Sequence, residues 1–217
     1  MSSTTAPPPV NRRNKPNINV IKANKNYKPI NAGELEIYEG DILCVIDNSS
    51  NQQYWTCKCG SNIGLVPVSY MHEEAEMIEN PMHEAAKRCN FELVEDYINI
   101  GLSVNALDKS GCTPLHWACR SGYKDIVQLL LSNGCLPNTQ LNKMGDTPLH
   151  LASYGGHSEI AKILLQCTDI NTETLNNEGK TALELAKNDS VGAIIQKHVM
   201  SFNREDLNEN EEQSDFD

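Results

Sequence analysis

Six histidines and eight cysteines are the residues of this 217-residue chain whose types suit metal binding or proton transfer. Their spacing is the first test. His116 and His150 lie 34 residues apart, and His83 lies 33 residues before His116. A fixed period of this length marks a repeated structural unit, which explains the spacing without metal or catalysis. Cys57-x-Cys59 is a lone pair with no second pair at zinc spacing, and it reads as strand residues near a turn. No G-x-S-x-G, H-E-x-x-H, P-loop or dinucleotide fingerprint occurs. The chain is therefore expected not to be an enzyme and to need no metal and no cofactor.

The histidines recur because the phrase around them recurs. Thr113-Pro114-Leu115-His116-Trp117-Ala118 returns as Thr147-Pro148-Leu149-His150-Leu151-Ala152. Weaker echoes flank it at Pro81-Met82-His83-Glu84-Ala85-Ala86 and Lys180-Thr181-Ala182-Leu183-Glu184-Leu185-Ala186. Each position has a physical task. Thr113 and Thr147 suit a helix N-cap, whose hydroxyl accepts from an orphan backbone N–H. Pro114 and Pro148 then fall at the first helical position, where the missing N–H costs nothing. Gly122 and Gly156 suit the left-handed residue that ends a helix. Asp125–Leu131 and Glu159–Leu165 repeat apolar residues at i, i+3 and i+4, which predicts a second helix in each unit.

A period near 33 with T-P-L-H-x-A resembles the ankyrin repeat. The resemblance implies an all-α solenoid in which each His bonds backbone between turns. Its repeats are expected at about 80–111, 112–145, 146–179 and 180–200. The last reads as a capping repeat, which an open stack needs. Binding on such arrays comes from turn tips and the inner face of the first helices. The candidates there are Asp108, Lys109, Trp117, Arg120, Tyr123, Lys143 and Tyr154. Trp117 suits either an anchor for a partner or a filler between repeats, and both readings stay open.

Residues 20–73 differ in character. Short apolar stretches separated by Gly, Asn and Ser predict a small all-β barrel. Glu34-Leu35-Glu36-Ile37-Tyr38-Glu39-Gly40-Asp41, then Tyr54-Trp55, then Gly64-Leu65-Val66-Pro67-Val68-Ser69-Tyr70 resemble, in order, three signatures of the SH3 domain. That resemblance implies an aromatic groove for a polyproline II ligand, with an acid holding a ligand Arg or Lys. Carried over by position, the groove residues are Tyr27, Glu34, Tyr54, Pro67 and Tyr70. Lys25 and Tyr54 depart from two usual aromatic positions, the second of them the groove tryptophan.

The flanks are polar. Residues 1–19 are rich in Ser, Thr, Pro and Asn and are expected to be disordered. Residues 74–79 read as an acidic linker, and 201–217 as an acidic disordered tail in which Ser214 is a candidate phosphorylation site. The net charge of −11 argues against nucleic-acid binding. No apolar run approaches the roughly 20 residues that span a bilayer. Scattered cysteines suit reduced thiols in a cytoplasmic protein.

The module order, with Asn80-Pro-x-His-Glu-Ala-Ala-Lys-Arg88 and Leu107-Asp-Lys-x-Gly111, resembles the osteoclast-stimulating factor family. This implies a cytoplasmic signalling adaptor, and the chain is expected to be a monomer. Its SH3 domain would bind proline-rich signalling proteins, and its ankyrin repeats a second, folded protein. The alternative is a regulator of a single partner through the ankyrin face, with a structurally retained, weakly binding SH3 domain.

Overall fold

The computed structural model describes residues 19–48, 53–138, 141–168 and 170–212, with side chains described up to Ser201. Ser214 lies outside these residues. The chain divides into two compact units, Met1–Glu79 and Asn80–Asp217.

The first unit is a five-stranded antiparallel sheet. Its strands are β1 (Val20–Ala23), β2 (Ile42–Asp47), β3 (Tyr54–Cys59), β4 (Asn62–Pro67) and β5 (Ala75–Met77). Their order is β4-β3-β2-β1-β5. A short helix, α1 (Val68–Glu73), precedes β5. Alternation directs Ile21, Ala23, Leu43, Val45, Cys57 and Val66 inward, where Leu35, Ile37, Tyr70 and Met71 join them. The segment before β2 folds across β4. Leu35 N–H donates to Leu65 O at 2.9 Å, and Leu65 N–H donates to Gly33 O at 2.9 Å. Gly64 permits this crossing, since a Cβ there would lie 2.9 Å from Gly33 O and from Leu35 Cγ.

The stretch 74–79, expected to be a linker, completes the sheet. Ile21 pairs with Met77, Lys22 with Glu76 and Ala23 with Ala75. Ile78 N–H donates to Val20 O at 2.8 Å. The second edge of β1 would otherwise carry unpaired backbone groups. Acidic composition hid this strand, because Glu76 and Met77 point to solvent and only Ala75 packs on the core.

The second unit stacks helix pairs. They are α2 (Pro81–Lys87) with α3 (Phe91–Asn99), α4 (Pro114–Ser121) with α5 (Lys124–Ser132), and α6 (Pro148–Gly155) with α7 (Ser158–Leu165). Helix α8 (Asp189–Glu212) closes the stack against α7. First helices pack on first helices and second on second. Leu115, Ala118, Leu149, Ala152, Ile126, Leu130, Ile160 and Leu164 fill the interior.

Thr113 and Thr147 cap α4 and α6 as expected, with Pro at the first turn and His at the third position completing a reciprocal capping box. Gly122 and Gly156 end those helices at φ 88° and 81°. The fourth repeat keeps the cap and loses the helix. Thr181 and Glu184 bond reciprocally, but only a single turn follows. Helix α8 passes Met200, where the ordered array was expected to end, and continues to Glu212. No Gly or Pro occurs in 201–212 to stop it.

Candidate functional site

On the barrel, the segment between β1 and β2 is drawn over the sheet by one carboxylate. Glu34 Oε2 accepts from the Tyr27 hydroxyl at 2.7 Å, from Ile30 N–H at 2.7 Å and from Asn31 N–H at 3.1 Å. Its Oε1 accepts from Asn31 Nδ2 at 2.7 Å. These bonds, led by the Asn31 amide, pull the Glu34 pKa down to about 2. Burial, and then the anion beside it, push the Tyr27 hydroxyl up to about 12.

Asn31 Nδ2 also reaches the Tyr54 hydroxyl at 3.2 Å. Tyr54 opposes Pro67 across β3 and β4. The Tyr27 ring lies 5.4 Å from that of Tyr70. All five expected groove residues are therefore brought together. Their roles differ. Tyr27, Tyr54 and Pro67 are half-buried and present surface. Tyr70 belongs to the barrel core, 7% exposed, and its hydroxyl donates to Lys25 O at 2.6 Å. Lys25 replaces an aromatic side chain with an ion pair to Glu74 at 2.7 Å. Beyond Tyr54 lies a depression of about 520 Å³ lined by Gln53, Tyr54, Pro67, Ser69, His72 and Glu73.

In the helical unit the three histidines of the recurring phrase are structural joints. His116 Nδ1 accepts from Thr113 N–H at 3.0 Å, which leaves Nε2–H to donate to Asp146 O in the next repeat at 3.1 Å. His150 repeats this with Thr147 N–H at 3.2 Å and Lys180 O at 3.1 Å. His83 lies 3.0 Å from both Ala106 O and Cys112 O through Nε2. Its buried Nδ1 has no partner among the described residues, because Asn80 stands where the other repeats have a capping Thr.

The expected ankyrin-face residues separate into frame and surface. Asp108 organises its turn, since Oδ1 accepts from Ser110 N–H at 2.8 Å and Cys112 N–H at 2.9 Å. Asn142 does the same in the next repeat. Asp108 Oδ2 accepts from the Trp117 indole at 2.8 Å. Burial works against the Asp108 charge, but these donors outweigh it and hold the pKa below the usual value. Trp117 is thus half-buried and tied to the turn, with Lys87 Nζ 4.8 Å over its ring and Arg120 Cζ at 6.0 Å. Tyr123 is the half-buried N-cap residue of α5. Lys109, Arg120, Lys143 and Tyr154 are exposed.

One surface feature was passed over. Leu107, Leu141 and Leu175 are 53%, 47% and 57% exposed, each directly before a turn residue. Their common 34-residue spacing was the available signal.

The family model described as a variant SH3 domain matches residues 23–72. That described as ankyrin repeats (many copies) matches residues 82–131 and 115–165. The chain is an SH3–ankyrin protein. Its SH3 domain and ankyrin array are modules of protein interaction. Over 124 residues it is 42% identical to osteoclast-stimulating factor 1 of Danio rerio, covering 57% of this chain and 56% of that protein. It is 40% identical to the Rattus norvegicus protein of the same name over the same shares. The Monopterus albus protein is 42% identical over 115 residues, or 53% of each chain. The match thus spans a little over half the length of these relatives. No helix among the described residues is long and apolar enough to cross a membrane.

Proposed function

We propose that this chain is a two-module adaptor. The barrel takes a proline-rich segment and the helical array takes a second protein, so that tethering raises the effective concentration of one partner near the other. The observation that carries the reading is the continuous face of Tyr27, Tyr54 and Pro67, held in place by the Glu34 and Asn31 bonds. Rigid aromatic rings beside a proline suit the preformed polyproline II helix, whose ordering has a low entropy cost. On the array, the exposed row of Leu107, Leu141 and Leu175 beside Lys109 and Lys143 is the surface for the second partner. The eight free thiols, five of them buried, suit a reducing cytoplasm.

The test is an NMR titration of the full chain with a Pro-x-x-Pro peptide carrying a flanking Arg. Shifts at Tyr27, Tyr54 and Ser69 that saturate at micromolar peptide, roughly −7 to −8 kcal/mol, support the reading. Tyr54→Ala should abolish them. No shift at millimolar peptide favours the second reading, a single-partner regulator working through the ankyrin face. The internal engagement of Glu34 and the ion pair of Lys25 are what favour that alternative.

A further inference from the structure

We infer that Glu73, and not Glu34, is the carboxylate that reads a basic residue of a proline-rich ligand on this face. The inference rests on the proline-recognition reading and adds the position of its charge-reading group. An ionised carboxylate offers about four lone-pair sites. Glu34 already accepts from four donors: the Tyr27 hydroxyl, two backbone N–H groups and the Asn31 amide. An incoming guanidinium could bind it in a bidentate fork only by displacing these donors, and with them the brace that shapes the segment. The acid at the expected position is spent on structure.

Glu73 is in the opposite situation. It is exposed at the end of α1, and its carboxylate makes no hydrogen bond or ion pair among the described residues. It lines the depression that shares Tyr54, Pro67 and Ser69 with the aromatic face. Tyr54 borders the surroundings of both acids. Its hydroxyl meets Asn31 beside Glu34, while its strand partner Pro67 leads directly into α1, which ends at Glu73. A proline stacked on Tyr54 and Pro67 would therefore place a neighbouring Arg or Lys over the depression and within reach of a free carboxylate. An exposed pair of this kind should change affinity by about two- to fivefold and weaken with salt.

The experiment measures affinity of the full chain by calorimetry for two peptides. One is the Pro-x-x-Pro peptide with a flanking Arg, and the other carries neutral citrulline in place of Arg. The natural chain should prefer the Arg peptide by about two- to fivefold at low salt. Glu73→Gln should erase that preference and leave the citrulline peptide unaffected. Glu76→Gln, which removes an exposed charge three residues on in β5 and outside the lining of the depression, should keep it. A preference that survives in Glu73→Gln overturns this inference alone. Binding of neither peptide by the natural chain overturns the proline-recognition reading and this one with it.

Discussion

Replacing His150 by Ala should destabilise the helical array more than its loss of volume suggests. The imidazole spans two repeats, accepting from Thr147 N–H and donating to Lys180 O. Thr147 is 1% exposed, so its N–H would be left without water, at a cost of about 1–3 kcal/mol. The lost bond to the Lys180 carbonyl adds about 1 kcal/mol, since that group can rehydrate. The void left by the ring adds about 1 kcal/mol more. The sum is about 3–5 kcal/mol, a large fraction of the stability of an ordinary domain. Circular dichroism at 222 nm follows the helical unit selectively, because the other unit is a sheet. The melting midpoint should fall by roughly 10 °C. His150→Gln should recover about 1 kcal/mol, since Gln at the third helical position can rebuild a capping box within one repeat. A loss below about 1 kcal/mol for the Ala variant would refute the assignment of His150 as a joint. Full recovery by Gln would show that the bond between repeats contributes nothing.

Three further outcomes follow from the shifted groups. Burial holds the His83 pKa below its ordinary 6.5. The unfolded chain then binds a proton that the folded chain refuses, so array stability is complete above about pH 6.5 and declines below it; His83→Gln should flatten a melting series taken from pH 7.5 to 5.5. Glu34 is depressed to about 2 from 4.5. Its contribution is present above pH 4.5 and is lost as pH falls towards 2, so Glu34→Gln should remove part of the acid sensitivity of the barrel, read from tyrosine fluorescence. Burial raises the thiols of Cys57 and Cys135 to about 12 and that of Cys119 well above the usual range, whereas Cys89 is exposed. Ellman's reagent should label Cys89 rapidly in the native chain and those three only after unfolding; fast labelling of Cys57, Cys119 or Cys135, located by peptide mapping in Cys89→Ser, would contradict the burial.

The helical half was legible because each of its devices is local. Thr before Pro, Gly after the first helix and paired apolar residues act within one turn, so their spacing carries the fold. The barrel was legible through turn chemistry and the three phrases around Glu34, Tyr54 and Gly64. What was not legible depended on partners far along the chain. Ala75–Met77 is a strand only because β1 has a free edge. Asn31 adds no charge, so nothing in the sequence signalled that its amide would hold Glu34 and Tyr54 together. Asp108 looked like a surface acid, and its two oxygens are both occupied, by a turn and by an indole. Asn80 interrupts the capping pattern in a left-handed conformation at φ 52°, which left the His83 ring without its second partner.

The acceptors of the three histidines are Cys112, Asp146 and Lys180, and they too lie 34 residues apart. They share no side-chain chemistry, because each is used through its backbone carbonyl. The contact itself therefore constrains only the donor's side chain and sets no side chain on the receiving side. It also makes the array editable in whole units. Excising Thr113–Asp146 would bring Cys112 directly before Thr147, so that a carbonyl of the right kind still follows His83 and a capping Thr still precedes Pro148. A genome can lengthen or shorten such a stack by duplication or loss of one period and keep this joint, while pairs that differ between repeats, such as Asp108 with Trp117, would have to be rebuilt.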